Sequence, residues 1–167
     1  TIESAIKFAR CYTGRQAIVY CEHAFHGLTT GALALNGADF FRERFGDLLP
    51  GTEKVPFNDL EALEKALSRK QAAAFMIEPI QGEGGVRVIP PAFLRGLREI
   101  CDRLDLIFIF DEVQTGVGRP GRPYAYEHCG LHHEILTTAT GLGPGFPMSA
   151  GLAPPDAARG PPAGPPP

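Results

Sequence analysis

Two uninterrupted apolar runs, each followed at once by an acidic residue, constrain the fold of this chain more than any other feature. The first covers residues 72–77 and precedes Glu78, and the second covers residues 106–110 and precedes Asp111. Strands with one solvated face alternate apolar and polar residues, whereas strands buried on both faces are apolar throughout. The two runs therefore predict inner strands of a mainly parallel sheet in an α/β fold.

Amphipathic segments around these runs predict helices. Apolar residues recur at helical spacing in residues 2–13, before Gly14, and again in residues 91–104. A third helix is expected over residues 60–67, with Asn58 as its N-cap. The predicted architecture is an α/β layer structure with helices on both faces of a mainly parallel sheet.

The chain length and the distribution of proline predict one folded unit followed by a tail. The 167 residues allow a single domain with one core. Seven of the sixteen prolines lie in residues 154–167, in a composition that buries too little apolar surface to offset the entropy of ordering. We therefore expect a folded domain over residues 1–150 and a disordered tail over residues 151–167.

Composition argues against several classes of partner. Sixteen Lys and Arg against nineteen Asp and Glu give a net charge of −3, with no basic stripe for a nucleic acid. No apolar run reaches the roughly 20 residues that span a bilayer, and the N-terminal residues lack the pattern of a secretory signal. The four cysteines are far apart, which suits reduced thiols. We expect a cytoplasmic protein that binds neither nucleic acid nor membranes.

Acidic and aromatic residues at the ends of predicted strands are the candidates for a functional site. Asp111 ends the second apolar run, and ligands of open α/β sheets bind at the carboxyl ends of strands. Phe25 and His26 follow a short predicted strand at residues 17–21, and Glu83 lies in the glycine-rich stretch after the first run. The alternatives are a helix cap or a solvent-exposed carboxylate for Asp111, core packing for the Phe-His pair and an ordinary turn for the glycines.

Two other chemistries have weaker support in the sequence. An apolar strand that ends in Asp-Glu is also typical of nucleotide hydrolases, but their phosphate-binding G-x-x-x-x-G-K-[ST] loop has no match here. Residues 128–133 contain three histidines and a cysteine, yet their spacing fits no standard zinc pattern. We therefore expect neither a nucleotide hydrolase nor a metal site.

The order and spacing of six segments resemble the class III aminotransferases, the ornithine and acetylornithine type that uses pyridoxal phosphate. The resemblance runs over about residues 1–150. Its most specific blocks are Glu-Pro-Ile-Gln-Gly-Glu-Gly-Gly and Asp-Glu-Val-Gln-Thr-Gly. The resemblance implies part of the fold-type I large domain of such an enzyme. The six segments are residues 3–10, 25–27, 55–58, 78–85, 111–116 and 118–119.

The resemblance implies pyridoxal 5′-phosphate as the cofactor and gives roles to five residues. Asp111 is expected to pair with the pyridine nitrogen of the cofactor, and Gln114 to lie near its phenolic oxygen. Phe25 is expected to stack on the ring, with His26 beside it, and Glu83 to be the acid that gates the substrate site. A carboxylate beside the ring nitrogen favours its protonated form, which withdraws electrons from the substrate carbon.

The chain departs from the family at Thr140. The flanking residues align without a gap, and the family has at this position the lysine that forms the Schiff base with the cofactor and then carries the proton. A hydroxyl cannot form this bond. We therefore expect no covalent attachment of the cofactor and no useful turnover by this chain.

The sequence leaves two interpretations of function. The family reaction transfers an amino group between an amine or amino acid, such as ornithine or acetylornithine, and a 2-oxo acid, in a homodimer. The alternative is a non-catalytic remnant that binds the cofactor noncovalently or serves as an interaction module. Thr140 favours the alternative for this chain.

Overall fold

The computed structural model describes residues 1–158, which form five α-helices and eight strands. The helices are α1 (Ile2–Thr13), α2 (Thr30–Leu33), α3 (Leu60–Lys70), α4 (Pro91–Leu104) and α5 (Pro155–Ala158). The strands are β1 (Ile18–Cys21), β2 (Thr52–Val55), β3 (Ala74–Ile77), β4 (Ile80–Gln81), β5 (Arg87–Val88), β6 (Ile107–Asp111), β7 (Ile135–Thr138) and β8 (Ala150–Leu152). No helix in this part of the chain is long and apolar enough to cross a membrane.

Six of the strands form one sheet in the order β2-β1-β3-β6-β7-β8. The first five run parallel, and β8 pairs antiparallel with β7. Strands β4 and β5 form a separate antiparallel hairpin. The sheet is therefore mainly parallel, as predicted, and its five parallel strands end at one edge.

Helices cover both faces of this sheet. On β1, Ile18 and Tyr20 belong to the apolar cluster that includes α1. Val19 and Cys21 belong to the cluster on the other face, with α3 and α4. The same alternation continues in β3 and β6, so every residue of these three strands is buried. Burial on both faces explains why their sequences are apolar up to Asp111, the last residue of β6.

The helix boundaries follow from local signals in the sequence. Helix α1 ends at Thr13 and is capped by Gly14, which has a left-handed φ of 67° and donates its N–H to the carbonyl of Arg10. Helix α4 has the predicted bounds. The predicted cap of α3 was wrong by one residue, because Asp59, and not Asn58, accepts a hydrogen bond from the N–H of Ala62.

The first residues of the predicted disordered tail form regular secondary structure. Residues 151–152 belong to β8, which pairs with β7. Residues 155–158 form α5, which packs against α1 and buries Ala157. The predicted boundary at residue 150 was therefore placed too early for residues 151–158. The remainder of the predicted tail, residues 159–167, lies outside the described residues.

Candidate functional site

The carboxyl ends of β1, β3 and β6 lie side by side at one edge of the sheet. The register pairs Tyr20 with Met76 and Ile77 with Phe110, so the residues that follow these strands come together. This is the edge at which open α/β sheets bind their ligands. Residues at this edge line a cavity of about 80 Å³. They are Phe25, His26, Gly27, Glu78, Asp111, Val113 and Gln114.

Asp111 is a buried carboxylate held by three hydrogen bonds. Its Oδ2 lies 2.7 Å from Nδ1 of His26. Its Oδ1 accepts from Thr137 Oγ1 at 2.9 Å and from the N–H of Val113 at 3.1 Å. Thr137 is the residue opposite Asp111 in the register of β6 and β7, so the sheet itself places this donor. The carboxylate therefore has a fixed position and orientation in the cavity.

His26 is buried beside Asp111 and is held through both its ring and its main chain. Because an ionised carboxylate only accepts hydrogen bonds, Nδ1 is the donor in their contact. Burial acts to lower the pKa of His26, but the hydrogen bond and charge of Asp111 outweigh it and raise the pKa. The N–H of His26 donates to Asn36 Oδ1, and the amide of Asn36 donates to the carbonyl of Gly27. The remaining ring nitrogen, Nε2, has no hydrogen-bond partner among the described residues.

Glu78 follows β3 and is buried with one carboxylate oxygen left over. Its Oε2 accepts from the N–H of Phe25 at 3.0 Å, whereas Oε1 has no partner within residues 1–158. Burial raises the pKa of Glu78 from its ordinary value of 4.5 to about 7, although the charge of His26 acts in the opposite direction. Glu78 therefore positions the main chain of Phe25, and its Oε1 is a buried acceptor that no described residue satisfies.

Phe25 brings a partly buried aromatic ring to the cavity. Its ring centroid lies 4.9 Å from that of Phe41, with an angle of 54° between the ring planes. Phe41 belongs to the short 3₁₀ turn Asp39–Phe41, so this contact supports the Phe25 ring from a separate segment. A planar ligand in the cavity meets an aromatic ring that is fixed at both its main chain and its side chain.

Gln114 enters the cavity lining from the turn after β6, and Gly82 makes room for it. A Cβ atom at Gly82 would lie 1.9 Å from Gln114 Oε1 and 2.9 Å from its Cδ. Glycine at this position therefore allows the amide to lie against the turn of the β4–β5 hairpin. Glu83, in the same turn, is exposed and is not part of the cavity lining.

Glu112, the residue after Asp111, does not line the cavity and has a structural role. Glu112 is fully buried, and its carboxylate accepts from the hydroxyl of Thr115 at 2.6 Å. It also accepts from the N–H groups of Ala125 and Tyr126 at 2.9 and 2.8 Å. The two neighbouring acids thus have different roles. Asp111 lines the cavity, and Glu112 anchors the loop that follows it.

Thr140 lies after β7 and is exposed. Its hydroxyl donates to the carbonyl of Val113 at 3.1 Å. Phe25, Asp111 and Gln114 share one cavity, and Thr140 is not among the residues that line it. Thr140 lines a separate open depression of about 550 Å³. The other residues of that depression are Ala139, Gly143, Gly145, Phe146, Pro147, Met148 and Ser149.

The chemistry available at this edge is that of carboxylates, a histidine, an aromatic ring and an amide. No lysine lines the cavity or the depression in the described part of the chain. Within residues 1–158, no group of three or more His, Cys, Asp or Glu side chains is arranged to hold a metal ion. The carboxylates, the amide and the imidazole are able to form hydrogen bonds with an organic ligand.

Sequence inspection missed two residues that hold the site together, Asn36 and Thr137. Asn36 follows a segment of small residues, and no local pattern marks it as a partner of His26. Thr137 is polar within a strand buried on both faces, which was the only signal available for it. Both contacts arise from the tertiary fold.

Comparison with known proteins gives one family. The sequence matches the profile of the family described as "Aminotransferase class-III" over residues 1–164. It is 46% identical over 162 residues to the acetylornithine aminotransferase of Caldanaerobacter subterraneus subsp. tengcongensis, covering 93% of this chain and 41% of the relative. It is 47% identical over 165 residues to that of Agrobacterium fabrum, covering 95% and 41%. The chain thus spans about two fifths of the length of these relatives.

Solved structures give the same result for the fold. The ornithine aminotransferase from Toxoplasma gondii superimposes with a TM-score of 0.85 at 34% identity, covering 93% of this chain and 39% of that protein. An amine transaminase from an uncultivated Pseudomonas species, solved in its PLP-bound form, gives a TM-score of 0.88 at 30% identity, covering 94% and 42%. The described residues therefore have the α/β architecture of these transaminases, as predicted.

Proposed function

Because this chain belongs to the class-III aminotransferase family, we propose that its cavity is the ring-binding part of a pyridoxal 5′-phosphate site. The chain binds the cofactor noncovalently and does not carry out the transamination of its family. One observation carries the proposal. Asp111 is buried and held by His26 and Thr137, in the same cavity as Phe25 and Gln114.

The side chains of the cavity fit the cofactor ring. Asp111 offers the fixed carboxylate that a protonated pyridine nitrogen requires, and Gln114 offers an amide donor for a phenolic oxygen. The buried orphan atoms Nε2 of His26 and Oε1 of Glu78 are typical of a cavity that receives a polar ligand. When bound, the cofactor supplies the electron sink that stabilises negative charge at a substrate carbon.

Each residue of this chain has a distinct task in the proposed site. Asp111 binds the ring nitrogen and keeps it protonated, and His26 orients Asp111 through the 2.7 Å contact. Glu78 holds the main chain of Phe25, which keeps the aromatic ring against the ligand. Together these residues bind the cofactor ring, fix its orientation and keep its nitrogen protonated.

Thr140 is the reason for proposing binding without turnover. The covalent link and the proton transfer of the family both require a primary amine, whereas the Thr140 hydroxyl donates to the carbonyl of Val113. General acid–base catalysis typically contributes 10²–10⁴-fold, so its loss alone raises the barrier by roughly 3 to 5 kcal/mol.

The family relationship extends the proposal to substrates and setting. The amino donor of an intact relative of this chain is an amino acid or amine, such as acetylornithine or ornithine, and the acceptor is a 2-oxo acid. Glu83 is the residue that we propose for the substrate side of the site, in the exposed turn after β4. We also propose that the complete protein is a homodimer in the cytoplasm.

A titration of the full chain with pyridoxal phosphate tests the proposal. In an amine-free buffer, quenching of the tyrosine emission is expected to saturate at one cofactor per chain. Asp111→Asn is expected to weaken binding about tenfold, because it removes one charge-assisted hydrogen bond. Asp105→Asn, an exposed aspartate at the end of α4, is the matched control and should leave binding unchanged. Equal binding by the two variants, or no saturable binding at all, would contradict the proposal.

A further inference from the structure

A groove of about 260 Å³ lies between the β4–β5 hairpin and the loop after β6. Pockets for drug-sized ligands have volumes of roughly 300–1,000 Å³, so this groove suits a smaller molecule. Gln114 lines both the groove and the cavity, and the two spaces therefore adjoin. The side chains that line this hairpin groove are those of Ile80, Val86, Gln114, Thr115, Arg119 and Pro120.

Arg119 is the one charged side chain in the lining of the hairpin groove, among the residues that the structure describes. It is exposed, and within residues 1–158 its guanidinium has no hydrogen-bond or ion-pair partner. Arg122, in the same loop, instead donates to the carbonyl of Glu127. A guanidinium with free donors binds a carboxylate through two parallel hydrogen bonds, which its planar shape fits. The charge of the groove therefore favours an anionic ligand.

The other polar side chains near the groove do not compete with Arg119 for this role. The hydroxyl of Thr115 already donates to Glu112 at 2.6 Å. Glu83, the acid of the hairpin turn, does not line the groove and so does not place a negative charge in its wall. The amide of Gln114 is neutral. Arg119 is therefore the group that attracts and holds the anion.

The rest of the lining favours a ligand with a carbon chain. Ile80, Val86 and Pro120 contribute apolar side chains to the groove. Val86 is 74% exposed, and its left-handed φ of 54° is unusual for a β-branched residue. The hairpin thus presents an apolar side chain to solvent, where an aliphatic chain on a ligand covers it favourably. A compact anion such as inorganic phosphate gains nothing from these side chains.

From the free guanidinium and the apolar lining we propose that the hairpin groove binds a small aliphatic carboxylate. The carboxylate pairs with Arg119, and the carbon chain packs against Ile80 and Val86. This site goes beyond the proposed function, because its ligand needs no cofactor in the neighbouring cavity. No bond of the ligand is made or broken.

Titration of the full chain with hexanoate tests the proposal without any variant. In a phosphate-free and cofactor-free buffer at pH 7, isothermal titration is expected to show saturable binding at one site. A buried methylene strengthens binding about fourfold, so hexanoate should bind at least about tenfold tighter than acetate even when its chain is only partly covered. Hexanamide, which has the same chain and no charge, should bind about tenfold more weakly than hexanoate.

Three results would overturn the proposal and leave the proposed function standing, since no cofactor is present in the titration. They are no saturable binding of hexanoate, equal affinities for acetate and hexanoate, and binding of inorganic phosphate as tight as that of hexanoate. The last result would show a site for any small anion.

Two variants separate the two contributions to binding. Arg119→Gln removes the charge and is expected to weaken hexanoate binding about tenfold. Arg95→Gln, at an exposed arginine of α4 outside the groove lining, is the matched control and should leave binding unchanged. Val86→Ser should weaken hexanoate severalfold and acetate hardly at all, because it removes apolar surface only. Equal hexanoate affinities of Arg119→Gln and Arg95→Gln would contradict the assignment.

Discussion

The Nδ1 atom of His26 lies 2.7 Å from Oδ2 of Asp111, and both side chains are buried at the edge of the sheet. His26 lies in the loop after β1, and Asp111 is the last residue of β6. The contact therefore joins two segments that β3 separates in the sheet. It holds the buried carboxylate of Asp111 in a fixed position.

Removal of His26 should destabilise the protein strongly. His26→Ala leaves the Asp111 carboxylate buried with only two of its three hydrogen bonds, and breaking such a pair typically costs about 3 kcal/mol or more. The measurement is urea denaturation followed by circular dichroism. His132→Ala, at an exposed histidine, is the control and should cost under about 0.5 kcal/mol. Similar midpoints for the two variants would show that the pair contributes nothing to the fold.

The raised pKa of Glu78 predicts a specific dependence of stability on pH. The pKa of Glu78 is about 7 in the folded protein, against an ordinary value of 4.5. Its contribution to the free energy of unfolding is therefore fully present below pH 4.5 and is lost as the pH rises through about 7. The raised pKa of His26 acts with the same sign, since its contribution is present below pH 6.5 and lost as the pH rises through the folded-state pKa.

Comparison of the wild type with Glu78→Gln isolates the contribution of Glu78. Between pH 5 and pH 8, the wild type should lose roughly 2.5 kcal/mol of unfolding free energy relative to this variant, which cannot titrate at residue 78. The measurement is the urea midpoint of both proteins at four pH values in that range. A difference between them that stays constant across the range would refute the assignment.

The packing of Gln114 against Gly82 predicts an effect on binding with little effect on stability. In Gly82→Ala the new methyl group overlaps Gln114 Oε1, the end of a flexible side chain that is able to turn away. Cofactor binding should weaken severalfold while the urea midpoint stays nearly unchanged. Gln114→Ala should weaken binding by a similar factor, and the double variant should be no worse than either single one. Additive losses would show that Gly82 acts on binding by another route.

Exposed aromatic residues predict that the isolated chain associates. Phe40, Phe45 and Phe146 are each about two-thirds exposed or more, and exposed apolar surface favours contact between molecules. We expect marginal stability and light scattering that grows with concentration. Replacement of Phe40 and Phe45 by serine should reduce the scattering without lowering the urea midpoint, whereas Phe75→Ser in the core should unfold the chain. A monomeric, cooperatively folded wild type would contradict this prediction.

The sequence predicted those parts of the fold that arise from burial on both faces. Strands β3 and β6 and helix α4 were found because continuous apolar runs and helical spacing are local signals. Strand β2 was missed because its sequence, Thr-Glu-Lys-Val, is polar and lies at the edge of the sheet. Strand β8 was missed because it lies where the glycine- and proline-rich end of the chain begins, and it depends on pairing with β7.

The sequence named several residues that line the cavity, but not the contacts between them. The resemblance named Phe25, Asp111 and Gln114, and these three share a cavity. It could not predict the hydrogen bond from the Thr140 hydroxyl to the carbonyl of Val113, because this contact joins two loops that are far apart in the sequence. Nor could it predict the free oxygen of Glu78, which depends on the N–H of Phe25 reaching only one carboxylate oxygen.

The most direct test of the central claim is chemical trapping of the cofactor. The full chain is mixed with pyridoxal phosphate, reduced with borohydride and analysed by intact-mass and peptide mass spectrometry, beside an assay with ornithine and 2-oxoglutarate. We predict reversible binding, no stoichiometric label on any lysine of the wild type, no turnover, and one label at residue 140 in Thr140→Lys. Stoichiometric labelling of a single native lysine together with turnover would show that another amine replaces the missing one, and would contradict the account.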